Sequence, residues 1–88
     1  MPGPFHTDDT GTYKVLGVDA LRARYGITAR EAQIARYVAL GQTNAEIARR
    51  LRLSVFTVRR HVEHVFARLG VKRRSEVATK LLSRIAED

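Results

Sequence analysis

Cysteine is absent from all 88 residues, which rules out a disulfide framework and any thiolate metal site. Long hydrophobic runs are absent too. The stretch VLGV at 15–18 is too short for the core of a signal peptide, and nothing approaches membrane-spanning length. No alternation of apolar and polar residues marks a strand, and there is no internal repeat or low-complexity tract. Acids are scarce in one region above all. From Arg49 to Arg74, nine basic side chains stand against one acid, Glu63, a net +8 in 26 residues. The other 62 residues hold seven bases and eight acids, a net −1, so the whole excess of +7 comes from that window.

These absences leave a small soluble protein, expected in the cytoplasm. A chain of 88 residues suits one domain. At this size only roughly 60–65% of the unfolded surface is buried, so a partner subunit could add stability. Positive charge gathered in one window is the footprint of a polyanionic partner, nucleic acid above all. The plainer alternative is a solvated basic surface that keeps the protein soluble.

What is present is a series of helix signals. Residues 1–12, MPGPFHTDDTGT, have two prolines, two glycines and no apolar periodicity, and read as a flexible tail that runs on to residue 17. Asp8 and Asp9 form a carboxylate pair there, but without a rigid frame for acid–base or metal chemistry. VDALRARYG at 18–26 predicts a short leading helix, capped by Asp19 and stopped at Gly26. Thr28 and Glu31 are spaced as a capping box, in which each side chain satisfies the other residue's backbone N–H. The helix they open runs to about Leu40, with Ile34, Ala35 and Val38 inward and Gly41 as its left-handed stop. Thr43 and Glu46 form a second box, ahead of Ile47, Ala48 and Leu51. Ser54 caps a long helix over 55–69 that stops at Gly70, and a last helix spans about 75–86. The fold class is therefore all-α, a tetrahelical domain over 18–88 behind the tail.

The long helix is the informative one. Val55, Val58, Val62, Val65, Phe66 and Leu69 form one apolar stripe at helical spacing, which must face the core. Phe56, Arg60, Glu63, His64 and Ala67 lie opposite, with Arg59 and His61 on the flanks. Adjacent arginines, an outward Phe and a small Ala are not the usual solvent face of glutamates and lysines. A helix fits the major groove of B-DNA, where Arg reads guanine O6 and N7 and Glu accepts from cytosine N4. Phe56 could touch a thymine methyl or a sugar, or instead pack on the neighbouring helix. Arg59 and Glu63, at i and i+4, could simply pair with each other. The preceding helix sharpens the reading. Counting from Asn44, Ile47 and Ala48 stand at positions four and five, Leu51 and Leu53 at eight and ten, and Val58 at fifteen. This is the helix-turn-helix pattern, with Arg52 at position nine, where an older form of it has glycine.

Four ordered motifs now stand out: TAREA at 28–32, GQTNAEIA at 41–48, SVFTVRRH at 54–61 and RLGV at 68–71. Over about 27–82 the sequence resembles the LuxR-type, GerE-like DNA-binding domain of bacterial transcription regulators. The resemblance implies that Arg59, Arg60 and Glu63 face bases. It implies that Thr43, Asn44, Thr57, His61 and Lys72 contact phosphates, with Arg73 and Arg74 strengthening the backbone contacts. It implies double-stranded DNA as partner, a homodimer on DNA, RNA polymerase as a further contact, and no cofactor or enzyme activity. Val77, Leu81 and Ile85 would form the dimer strip on the last helix, with Lys80 and Arg84 at its edge; the alternative is that these apolar residues pack into their own core. The receiver or ligand-binding domain that the family usually attaches does not fit in 88 residues. A stand-alone regulator or a piece of a longer one is expected, and the starting methionine favours the first.

Three other readings compete. A sigma-factor promoter-recognition domain has a related helix-turn-helix, but the RLGV ending and the fourth helix argue against it. A metal or catalytic site on His61, Glu63 and His64 lacks the H-E-x-x-H pattern and any further ligand cluster. A basic module that docks an acidic protein would share the charge but not the salt dependence of DNA binding.

Overall fold

A computed structural model describes the backbone of residues 13–84 and the side chains of 15–82. Five helices form the fold, α1 (Val18–Tyr25), α2 (Ala29–Ala39), α3 (Asn44–Leu51), α4 (Val55–Leu69) and α5 (Arg74–Leu81). Two short strands, β1 (Tyr13–Val15) and β2 (Leu82–Arg84), pair antiparallel at its margin. The architecture is all-α, as the helix signals predict, with this ribbon as an addition.

The helix boundaries follow from local chemistry. Thr28 and Thr43 open α2 and α3 with complete capping boxes: each hydroxyl accepts from the N–H three residues on, and each glutamate accepts from the threonine N–H. Gly41 ends α2 at φ 87°, with Gln42 N–H donating to Tyr37 O and Gly41 N–H to Val38 O. This is a Schellman stop, and Gly70 repeats it after α4. α1 is capped at Gly17, not Asp19, which lies in its first turn.

The core is one apolar cluster. α2 lies at its centre, packed against α1, α4 and α5, and α3 packs on α4. Leu21, Ile34, Ile47, Val58, Val65, Val77 and Leu81 are fully buried. Ala48 is buried where α3 meets α4, and its small side chain permits close approach of the two helices. The turn between them is Arg52–Leu53–Ser54, with Arg52 in the left-handed region at φ 56°.

The chain ends of the domain depart from the sequence reading in two ways. First, the tail boundary at 17 is too late. Leu16 is buried, and its N–H donates to Leu81 O at 2.8 Å, satisfying a carbonyl at the end of α5. Tyr13–Val15 then pairs with Leu82–Arg84, so α5 stops at Leu81 where the chain turns extended, not at residue 86. Second, Val77 and Leu81 do not form an exposed dimer strip. Both are 0% exposed within their own chain, because α5 lays that face against α2. Ile85 lies outside the described residues.

Candidate nucleic-acid interface

α4 is fixed at both ends and along one side. The Ser54 hydroxyl accepts from Thr57 N–H at 3.0 Å, and Val58, Val62, Val65 and Leu69 are buried. Phe66 is half-buried against the core. Val55, expected on the same stripe, is 41% exposed, since it begins the helix beyond the buried row. What remains points outward. Phe56 is 63% exposed and so does not pack onto a neighbouring helix. Arg59, Arg60, Glu63 and Ala67 are also exposed. Among the described residues Arg59 and Glu63 form no salt bridge; the acid that α4 meets is Glu31, which lies against the His61 and His64 rings. No acid occupies the first turn of α4, so its N-terminal dipole is not neutralised by its own side chains.

Phe56, Thr57, Arg60, His61 and His64 line a shallow groove, floored by Glu31 from α2. Glu31 has a second task besides capping. One carboxylate oxygen takes the Thr28 N–H at 3.0 Å, and the other accepts from His64 Nδ1 at 2.5 Å, with His61 Nδ1 at 3.8 Å. Glu31 is only 6% exposed. Burial alone would raise its pKa. The Thr28 N–H, the His64 hydrogen bond and the His64 charge together outweigh burial and hold the carboxyl below the usual glutamate range. Glu46 is lowered too, chiefly by the Thr43 N–H. The sequence marks Glu31 only as a cap. Its bond to α4 spans 33 positions and no local spacing announces it.

A second group of residues gathers around Arg74. Its guanidinium donates to Asn44 Oδ1 at 2.8 Å and to the Gln42 carbonyl. These bonds join the start of α5 to the start of α3. They bring Thr43 and Asn44 near Lys72 and Arg73, four of the seven residues expected at the DNA backbone, with Arg74 itself a fifth. The other two, Thr57 and His61, lie on α4 beside Arg60. Asn44 is half-buried and uses its carbonyl on Arg74, leaving its NH2 as the donor. Lys72 and Arg73 have exposed side chains, while their N–H groups donate to Glu76 at 2.8 and 3.0 Å. Arg74 is half-buried and serves the fold, in contrast to its expected place at the DNA backbone. Arg50 is held as well, donating to Gln42 Oε1 and standing 5.4 Å from the Tyr37 ring centre. Among the described residues no three His, Cys, Asp or Glu side chains are placed to hold a metal ion, and no helix is long and apolar enough to cross a membrane.

The family described as "Bacterial regulatory proteins, luxR family" (GerE) matches residues 26–81. The spore germination protein GerE of Bacillus subtilis (strain 168) is 38% identical over 56 residues, 64% of this chain and 76% of that protein. YhjB of Escherichia coli (strain K12), provisionally assigned as an HTH-type transcriptional regulator, is 40% identical over 55 residues. YvfU of Bacillus subtilis (strain 168), an uncharacterized transcriptional regulatory protein, is 36% identical over 64 residues. The chain covers 62% and 73% of itself in these two matches, but spans only 28% of YhjB and 32% of YvfU. No solved structure gives a significant match.

Proposed function

The chain belongs to the luxR family of bacterial regulatory proteins, a family of DNA-binding transcription regulators and not of enzymes, and from that membership we propose that it reads double-stranded DNA by sequence, with α4 in the major groove. One observation carries the reading. The outward face of α4 holds Arg59, Arg60 and Glu63 exposed and unpaired by one another, on a helix anchored at its cap and by its buried row.

In this arrangement Arg60 and Arg59 donate in pairs to guanine O6 and N7, and Glu63 accepts from a cytosine amino group. The N-terminal dipole of α4, with no acid in the first turn, and the Thr57 hydroxyl favour a phosphate there. His61 meets the backbone on the same side. Thr43, Asn44, Lys72 and Arg73 hold the backbone at the second locality, where Arg74 keeps them together. Phosphate contacts set position and salt dependence, and base contacts set sequence. No cofactor or metal takes part. A pair of chains on two half-sites suits this family, through a surface other than Val77 and Leu81. Contact with RNA polymerase from the same DNA-bound state is part of the proposal.

Selection of bound duplexes from a random pool at near-physiological salt tests it. Enrichment of a defined sequence is the expected result, and inverted half-sites would add the pairing. Binding without enrichment would leave backbone contacts alone. No binding would overturn the proposal and favour an acidic protein as the partner of the basic face.

A further inference from the structure

Phe56 is the most exposed large apolar residue of α4, and charge cannot explain it. A single exposed apolar side chain is ordinary on a protein surface. Its setting here is not. It is 63% exposed in the first turn of α4, beside Val55 at 41%. It shares a groove with Thr57, Arg60 and His61. At i and i+4 it lies in one row with Arg60, and at i+7 with Glu63. Any surface that receives Arg60 and Glu63 must also receive Phe56. In the major groove the apolar feature it can meet is the thymine C5-methyl.

We infer that Phe56 is a specificity-determining residue that reads a thymine methyl next to the base read by Arg60. The inference rests on the DNA reading above. Four residues along a helix span about 6 Å, and stacked base pairs lie about 3.4 Å apart. The thymine therefore falls one or two base pairs from the guanine under Arg60. The contact covers roughly one methyl group, which is worth about fourfold in affinity.

The test uses duplexes alone as probe. Random pools are made with thymidine or with deoxyuridine, which lacks the methyl, and bound by the wild-type chain and by Phe56→Ala. Phe56 is exposed, so the variant is expected to fold, and circular dichroism checks this. The wild type should enrich thymine at one position per half-site in the first pool and lose that preference in the second. Phe56→Ala should recover the same motif with that single position flattened. On the recovered duplex, deoxyuridine at that position should weaken the wild type about fourfold and the variant not at all. Equal wild-type affinity for both duplexes would overturn the inference. So would a thymine preference retained in Phe56→Ala, or a loss of affinity in that variant that is uniform across sequences. Failure of the wild type to bind any duplex would overturn the DNA reading itself, and is distinguishable from those results.

Discussion

Arg74 and Arg60 lie in the same basic window, 14 positions apart, and have opposite fates. Arg74 is half-buried, with its guanidinium donating to Asn44 and to the Gln42 carbonyl. Arg60 is exposed beside an open groove, and no salt bridge engages it among the described residues. One region, where α5 meets the α2–α3 turn, is locked by its own arginine. The other, the outer face of α4, is held from behind by its buried row and exposed in front. A charge count cannot separate the two. The comparison teaches that a basic surface is built partly from cations that shape it and partly from cations that it presents.

The locked region should show itself in stability, and the free face should not. The largest effect is expected at Leu81, whose truncation to alanine should cost about 2–5 kcal/mol in urea unfolding, independent of protein concentration. An exposed dimer strip would instead give a small, concentration-dependent change. Arg74→Ala removes two charge-assisted bonds and should cost about 2 kcal/mol, against under about 0.5 kcal/mol for Arg60→Ala. Equal costs would erase the distinction.

Glu31 ties α2 to the free face through His64, and pH reaches it. Its folded pKa is lowered, so its contribution is complete above the unfolded value of about 4.3 and is lost as pH falls through the folded value. Wild-type stability should therefore fall, as pH drops below about 4.3, more steeply than that of Glu31→Gln, followed by thermal melts across acid pH. One change should instead give a gain. Arg52 adopts φ 56°, where a side chain costs about 1–2 kcal/mol. Arg52→Gly should stabilise the chain by about 0.5–1 kcal/mol after glycine's own entropy is counted.

The parts legible in the sequence are those with a local signature. Thr28 with Glu31 and Thr43 with Glu46 close as capping boxes, and Gly41 and Gly70 end their helices with positive φ. The two faces of α4 follow from spacing alone, apart from Val55 at the edge. The illegible parts depend on distance. Strands of three residues are too short to show alternation, so β1 and β2 leave no trace. Periodicity predicts that Val77 and Leu81 are covered but not by what, and the cover is the chain's own α2. The reach of Arg74 to residue 44 and of Glu31 to His64 belongs to the fold, not to any window of sequence.

The central claim is that the outer face of α4 reads sequence while Lys72, beyond it, holds the backbone. It is tested most directly by the ratio of affinities for a selected duplex and a scrambled duplex, measured for wild type, Arg60→Ala and Lys72→Ala at one salt concentration. Arg60→Ala should lower this ratio about tenfold, and Lys72→Ala should weaken both duplexes alike with the ratio intact. An unchanged ratio in Arg60→Ala, or a ratio that collapses in Lys72→Ala instead, would contradict it.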